Sequence, residues 1–295
     1  MRLRKDIHLG TLLALPPASR GWRASLDEQL QLLKAEGYEG AQAWDGWGAI
    51  QRAGLDASGI ARVTRPEQLD PLARQHRAEG LLYTNLHLGT GFDSDAEMDA
   101  LAAALLEAQA RHGHPLLVET HRATATQDIW RTLRWVERFP DLRFTADLSH
   151  WYTGHEMTYG GEFSERMARL QPVFERVRAF HGRIGNSGCL QTPLDRPGLY
   201  LDHYRAMWTA CCAGFLRHAE PGSALSFNAE LLPMAVGEGA HAMWLHYQQA
   251  TQAAPTDPWQ GEPCDRFADA EALWAIICAC FHQACHDTAT ETPTP

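Results

Sequence analysis

The sequence predicts a single-domain α/β fold, a closed (β/α)8 barrel. Eight apolar runs of strand length alternate, for the most part, with segments of helical periodicity. Such alternation builds a parallel sheet with helical crossovers. Four of the later runs also end in residues able to hold a cation: Glu119, Asp147, His181 and Glu230. In a barrel the C-terminal strand ends share one rim, where active sites lie. The chain has 295 residues, 45% of them hydrophobic, which suffices for one barrel of about 250 residues. The domain is expected to span residues 1–287, and the polar stretch 288–295 to be a disordered tail.

The elements follow in order. Ile7 to Ala14 reads as the first strand. Ser25-Leu26-Asp27-Glu28 is a capping box, in which serine and glutamate reciprocally satisfy free N–H groups at a helix start. Leu26, Leu30 and Leu33 mark one face of that helix, and Gly37 ends it. Gly40 to Trp44 is the second strand, followed by a short helix at best. Leu55 to Ile60 is the third. Pro66 opens a helical segment that runs to Gly80, and Leu81 to His87 is the fourth strand. A second capping box, Ser94-Asp95-Ala96-Glu97, starts a helix carrying Leu101 and Leu105. The fifth strand, Leu116 to Thr120, precedes a helix from Thr126 to Arg138 with Ile129, Leu133 and Val136 on one face. The sixth strand ends at Asp147. The stretch 149–161 reads as a covering loop, and a helix over 162–171 is kinked or ended by Pro172. The seventh strand ends near His181. An irregular loop, 186–198, holds Gly188, Pro193 and Pro197. Asp202 to His218 is helical, residues 225–230 form the eighth strand, 251–263 is a proline-containing loop, and a last apolar helix covers 266–284.

Composition narrows the function. A net charge of -10 argues against nucleic acid as a partner, because such surfaces carry a basic stripe. No apolar run reaches the ~20 residues of a membrane span. The N-terminus Met1 to Asp6 lacks the apolar core of a signal peptide. The seven cysteines are scattered, which fits a reducing cytoplasm. Cys278, Cys280 and Cys285 lie in a helical apolar pattern and read as small core residues. The expected partner is a small-molecule substrate, and a homo-oligomer is left open.

Residues two apart on a barrel strand face the same way. Leu117, Glu119 and His121 share one parity. So do Thr145, Asp147 and Ser149; Ala179, His181 and Arg183; and Asn228, Glu230 and Leu232. Singly, each polar residue has an ordinary reading: Glu119 pairing with Arg122, Asp147 as a helix N-cap or paired with His150, His181 as a core histidine, Glu230 facing a loop arginine. Together, three buried carboxylates converging with a histidine call for a shared cation. One imidazole and three carboxylates suit Mn²⁺ or Mg²⁺, with Co²⁺ and Zn²⁺ as competitors.

These motifs carry a resemblance. Val118-Glu119-Thr120-His121-Arg122, Asp147-Leu148-Ser149-His150-Trp151, His181-Gly182-Arg183, Ala229-Glu230 and Asn85-Leu86-His87-Leu88-Gly89 make the chain similar to the xylose-isomerase-like TIM-barrel superfamily, the sugar phosphate isomerase/epimerase group. The resemblance implies a divalent metal bound by Glu119, Asp147, His181 and Glu230. It also implies proton exchange by Glu119 and Glu230, and substrate oxygens held by His150 and Arg183. The extra histidines of endonuclease-IV-type members have no counterpart after His181, where Arg183, Asn186 and Gln191 stand.

The expected activity is isomerisation or epimerisation of a sugar, sugar phosphate or polyol ketone, with a proton moved through a metal-stabilised enediolate. Trp44 and Trp151 are candidates to pack on the apolar face of a sugar, and His87 to bond a substrate hydroxyl or serve as a second metal ligand. The alternatives are a hydrolase or lyase using metal-bound water, with two ions if His87 and His150 both bind, and a catalytically silent sugar-binding barrel.

Overall fold

Eight parallel strands close into a barrel in their chain order. They are β1 (Arg2–His8), β2 (Gly40–Ala43), β3 (Asp56–Val63), β4 (Thr84–Leu88), β5 (Leu116–Glu119), β6 (Phe144–Ala146), β7 (Val177–Gly182) and β8 (Ala224–Ala229). The computed structural model describes residues 1–154, 157–158, 161–194, 199–236, 243–245, 247 and 265–290. The expected loop 251–263, together with Pro197 and parts of 149–161, lies outside them. β8 pairs with β1 over Arg2–Ile7, which closes the ring. The connecting helices are α1 (Leu26–Ala35), α2 (Trp47–Arg52), α3 (Leu69–Ala78), α4 (Asp95–His112), α5 (Ile129–Arg138), α6 (Leu148–Gly154), α7 (Phe163–Phe174), α8 (Leu199–His218) and α9 (Arg266–Thr290).

Both capping boxes form. The Ser25 and Ser94 backbone N–H groups donate to Glu28 and Glu97, and the serine hydroxyls accept from the glutamate N–H groups. Each such cap stabilises its helix by about 1 kcal/mol. On α1 the buried face is Leu30 and Leu33, whereas Leu26 is exposed. On α5 it is Thr132, Trp135 and Val136, with Ile129 and Leu133 only partly buried.

β1 starts five residues before the expected Ile7 and stops at His8, where a short 3-10 turn, Leu9–Leu12, begins. The early part escapes an apolar reading because its charged side chains are compensated. Arg4 meets Asp6 at 3.0 Å and Asp56 at 2.8 Å, and Lys5 meets Glu271 at 2.8 Å. β4 begins at Thr84 rather than Leu81. The expected loop from 149 is a helix as far as Gly154, because α6 starts directly after Asp147. That turn carries Trp151 into the core, where its Nε1 donates to the Thr126 carbonyl at 2.8 Å. Trp151 is therefore not a sugar platform.

α7 runs through Pro172 to Phe174 instead of ending there. Val173 and Phe174 are fully buried, worth about 1.5–3 kcal/mol each. Their burial offsets the roughly 3 kcal/mol cost of an interior proline. A two-stranded hairpin, β9 (Ala235–Val236) with β10 (Met243–Trp244), follows β8 and has no counterpart in the sequence reading. α9 packs along α8 and continues to Thr290, past the expected start of the tail at residue 288. Six described cysteines are free, and Cys211, Cys212 and Cys280 are buried.

Inside the barrel, below the rim, sits a polar plug. Ser226 Oγ donates to Asp6 Oδ2 at 2.6 Å, Asn228 Nδ2 donates to Tyr83 Oη at 2.8 Å, and Tyr83 Oη lies 3.1 Å from Ser226 Oγ. Leu117 and Ala179 pack with Tyr83. They stand two residues before Glu119 and His181, so the inward parity places those two side chains directly above.

Candidate metal centre

The four strand ends converge. One ligand atom from each of Glu119, Asp147, His181 and Glu230 lies within 4.8 Å of the others, and all four residues are buried. His181 is central: its Nδ1 is 3.1 Å from Glu230 Oε2 and 3.5 Å from Glu119 Oε2. Its other nitrogen, Nε2, meets Gln42 Oε1 at 2.6 Å. Between His181 and Arg183, Gly182 leaves room for the Phe227 ring, since a Cβ there would lie 2.1 Å from it. Asn85 Nδ2 donates to Glu119, and His87 Nε2 lies 3.0 Å from Glu119 Oε2. Arg122 does not pair with Glu119; its guanidinium lies over the Tyr247 ring at 5.0 Å.

Asp147 faces two ways. One oxygen accepts from the Ser149 N–H at 3.1 Å, fixing the start of α6, and the other accepts from Arg183 Nη2. Arg183 also donates Nε to Ser149 Oγ at 3.1 Å and approaches Glu230 Oε2 at 3.5 Å. His150 Nε2 is 3.5 Å from Asp147 Oδ2, and its buried Nδ1 lacks a hydrogen-bond partner. Trp44 is half exposed on the rim, edge-on to His87 at 5.4 Å. Every residue expected at the site is thus on or beside this rim except Trp151.

The electrostatics are those of a site compensated by protons and guanidinium. Burial opposes charge on Glu119 and Glu230. The neighbouring His87 and His181, and for Glu230 His181 and Arg183, outweigh it and hold both well below the carboxylate range. Asp147 is pushed up to about 6 by burial, with Glu230 and Glu119 adding to the rise and Arg183 opposing it. Burial also disfavours charge on His181, but the two glutamates raise it well above the imidazole value. Burial, with His121 and Arg183 beside it, drives His150 well below that value.

Three residues at the rim carry no role in the sequence reading, although Asn85 opens one of its motifs. Gln42 and Asn85 carry no charge, and each sits in an apolar strand. His8 falls near the start of the expected first strand, Ile7 to Ala14, and carries no role there; β1 instead ends at His8, whose buried ring is 5.8 Å from that of His181. The compensating charges of Arg4, Lys5 and Asp6 were the signal that would have moved the strand.

A divalent ion fits this donor set. His181 Nδ1 and Glu230 Oε2 are buried without an aligned hydrogen-bond partner, and three carboxylates with one imidazole form a hard site.

No protein-family model and no curated protein matches the chain. Solved structures do. A xylose isomerase-like TIM barrel protein from Mycobacterium smegmatis, in complex with magnesium, has a TM-score of 0.54 at 12% identity, over 95% of this chain and 98% of that one. The probable 3-DHS dehydratase AsbF of petrobactin synthesis from Bacillus anthracis has a TM-score of 0.53 at 14% identity, over 78% and 93%. At these identities the likeness is one of fold: the chain is a TIM barrel. Among the described residues no helix is long and apolar enough to cross a membrane.

Proposed function

We propose that the protein is a divalent-metal-dependent isomerase or epimerase of a sugar, sugar phosphate or polyol ketone. The observation that carries this reading is the pair of carboxylates, Glu119 and Glu230, that reach His181 from different strands. Asp147 and His181 complete the metal ligands. The magnesium in the Mycobacterium smegmatis barrel agrees with such a cofactor. Mn²⁺ or Mg²⁺ suits the oxygen-rich set best.

When bound, the ion would polarise a substrate carbonyl and hold the negative charge that develops on its oxygen. The remaining work falls to the chain. Glu119 and Glu230 are both ionised near neutrality, so either can take a proton from the carbon next to the carbonyl. One removes it; in an isomerisation the same carboxyl returns that proton to the neighbouring carbon, and in an epimerisation the other carboxyl, having first taken a proton from solvent, delivers it to the opposite face. Arg183, locked by Asp147 and Ser149, offers donors to a substrate oxygen or phosphate. His150, held neutral, can donate or accept a hydrogen bond without adding charge. His87 and Trp44 border the rim where the rest of a sugar would lie.

The test is deuterium entry from D₂O into the carbon beside the carbonyl of candidate ketoses. Native protein with Mn²⁺ should exchange that hydrogen. Glu119→Gln and Glu230→Gln should each slow exchange by at least ~10²–10⁴-fold, the usual contribution of a general base. Bond cleavage at full rate with no exchange would replace this reading with a hydrolase or lyase.

A further inference from the structure

The end of the barrel opposite the metal rim holds a cavity that the proposed reaction does not use. Its volume is about 460 Å³, within the usual range of small-molecule sites. It lies among the N-terminal ends of the strands: Leu82 and Tyr83 precede β4, Pro115 precedes β5, Arg143 precedes β6, and Arg178 is the second residue of β7. Leu82, Pro115, Leu117 and Phe215 make much of the wall apolar. Tyr83 and Ser226, which belong to the polar plug, line it as well, so the plug stands between this cavity and the metal rim. We infer that the cavity binds a small organic anion, a carboxylate with an apolar body, whose charge is held by Arg143 and Arg178. The inference is independent of the reaction proposed above.

Three features support it. The first is charge. The chain carries a net charge of -10, yet Arg143, Arg176 and Arg178 gather at this mouth. Among the described residues neither Arg143 nor Arg178 has an ion pair, and Arg176 meets Glu175 only at 3.9 Å. Burial disfavours charge on Arg143 and Arg178, and Arg176 adds to this on both; exposed Asp141 opposes it for Arg143, while Arg178 is pulled down to about 10. Partly buried cations of this kind call for an anion. The second feature is donors. Arg143 gives Nη1 to the Pro140 and Leu142 carbonyls, and Arg178 gives Nη1 and Nη2 to those of Glu175, Val177 and His218. A guanidinium has five N–H donors in a planar fork that matches a carboxylate. Both Nε groups, and Nη2 of Arg143, therefore remain for a ligand. The third is the wall itself. Beside its apolar side chains stands His114, buried, with an Nδ1 that has no partner.

The ordinary explanation is that these arginines only cap carbonyls at helix C-terminal ends, a favourable place for cations. Phenylacetate separates the two. Phenylacetamide keeps its ring without the charge, and inorganic phosphate carries charge without a ring. Full-length, metal-stripped protein is titrated with each, read by calorimetry and by backbone amide NMR. Native protein should bind one phenylacetate per chain, with shifts centred on residues 81–84, 113–117 and 223–226. Phenylacetamide should bind about tenfold more weakly or worse, the worth of hydrogen bonds to a charged group. Arg143→Gln and Arg178→Gln should each weaken phenylacetate by a similar factor, and Arg143→Lys should keep part of the affinity. Ala224→Leu narrows the cavity while keeping both arginines; it should also weaken binding, and it is the parallel variant should the arginine changes fail to fold.

No phenylacetate binding at millimolar concentration, or binding that these variants leave unchanged, overturns the site. Phosphate bound as tightly as phenylacetate leaves the apolar wall without a role and overturns the assigned ligand class. Shifts confined to the metal rim place the ligand at Arg183 and overturn the site too. Mn²⁺ affinity is read on separate samples of the same proteins: its absence strikes the metal centre and leaves this cavity standing.

Discussion

Replacing Gln42 with Leu tests how the centre is held together. Gln42 Oε1 is 2.6 Å from His181 Nε2, and both residues are buried. The contact fixes the proton on Nε2 and turns Nδ1 toward Glu119 and Glu230. Leucine fills similar space and accepts nothing, so the Nε2–H is left buried and unpaired, at a cost of about 1–3 kcal/mol. Loss of an outer-shell partner of a ligating histidine weakens metal binding by about 10–100-fold, or about 1.4–2.8 kcal/mol. Calorimetric titration with Mn²⁺ reads the affinity, and thermal unfolding of the stripped protein reads the stability. The expected result is a 10–100-fold higher Kd for Mn²⁺, with Gln42→Glu retaining more affinity than Gln42→Leu because it keeps an acceptor. A lowered unfolding temperature with Kd unchanged would show that Gln42 merely packs the rim, and would refute the orientation argument.

Three further outcomes follow from the same geometry. Mn²⁺ binding should release about one proton near neutral pH, because His181 is held in its charged form by the two glutamates and a ligating imidazole must be neutral; titrations in buffers of different ionisation enthalpy measure it, and a release near zero would contradict it. His8, His114 and His121 are held neutral down to about 4, chiefly by burial. In the unfolded chain they take protons near 6.5, so metal-free protein should lose stability as pH falls from about 6.5 toward 4. His114→Gln should flatten that loss, and an unfolding temperature equally pH-dependent in both proteins would count against the assignment. Finally, Gly182→Ala should destabilise the fold by about 1–3 kcal/mol through overpacking, since its Cβ would meet the Phe227 ring at 2.1 Å; an unchanged unfolding temperature would mean that the ring moves aside freely.

The barrel was legible because its later strands are apolar and end abruptly in polar residues. Glu119, Asp147, His181 and Glu230 could be brought to one rim by counting parity alone, with no contact known. The N-terminal third was harder. β1 is written in charges, Arg2, Arg4, Lys5 and Asp6, that cancel only once Glu39, Asp56 and Glu271 come near. The displaced strand end in turn hid His8. Gln42 and Asn85 were invisible for another reason: a neutral amide in an apolar strand declares no chemistry until its partner is placed. α6 was mistaken for loop because Gly, His and Tyr are poor helix formers. Its Leu148, Trp151 and Tyr152 are nonetheless buried, and tertiary packing decides such cases.

The central claim, one principal divalent ion held by four strand ends, is met most directly by crystals of the native protein grown with Mn²⁺. Anomalous scattering then locates the ion. The structure predicts a peak enclosed by Glu119, Asp147, His181 and Glu230, with each ligand atom at ~2.0–2.6 Å and His181 still bonded to Gln42. A peak elsewhere, or these four side chains still closed on one another and on Arg183 at saturating Mn²⁺, would contradict it.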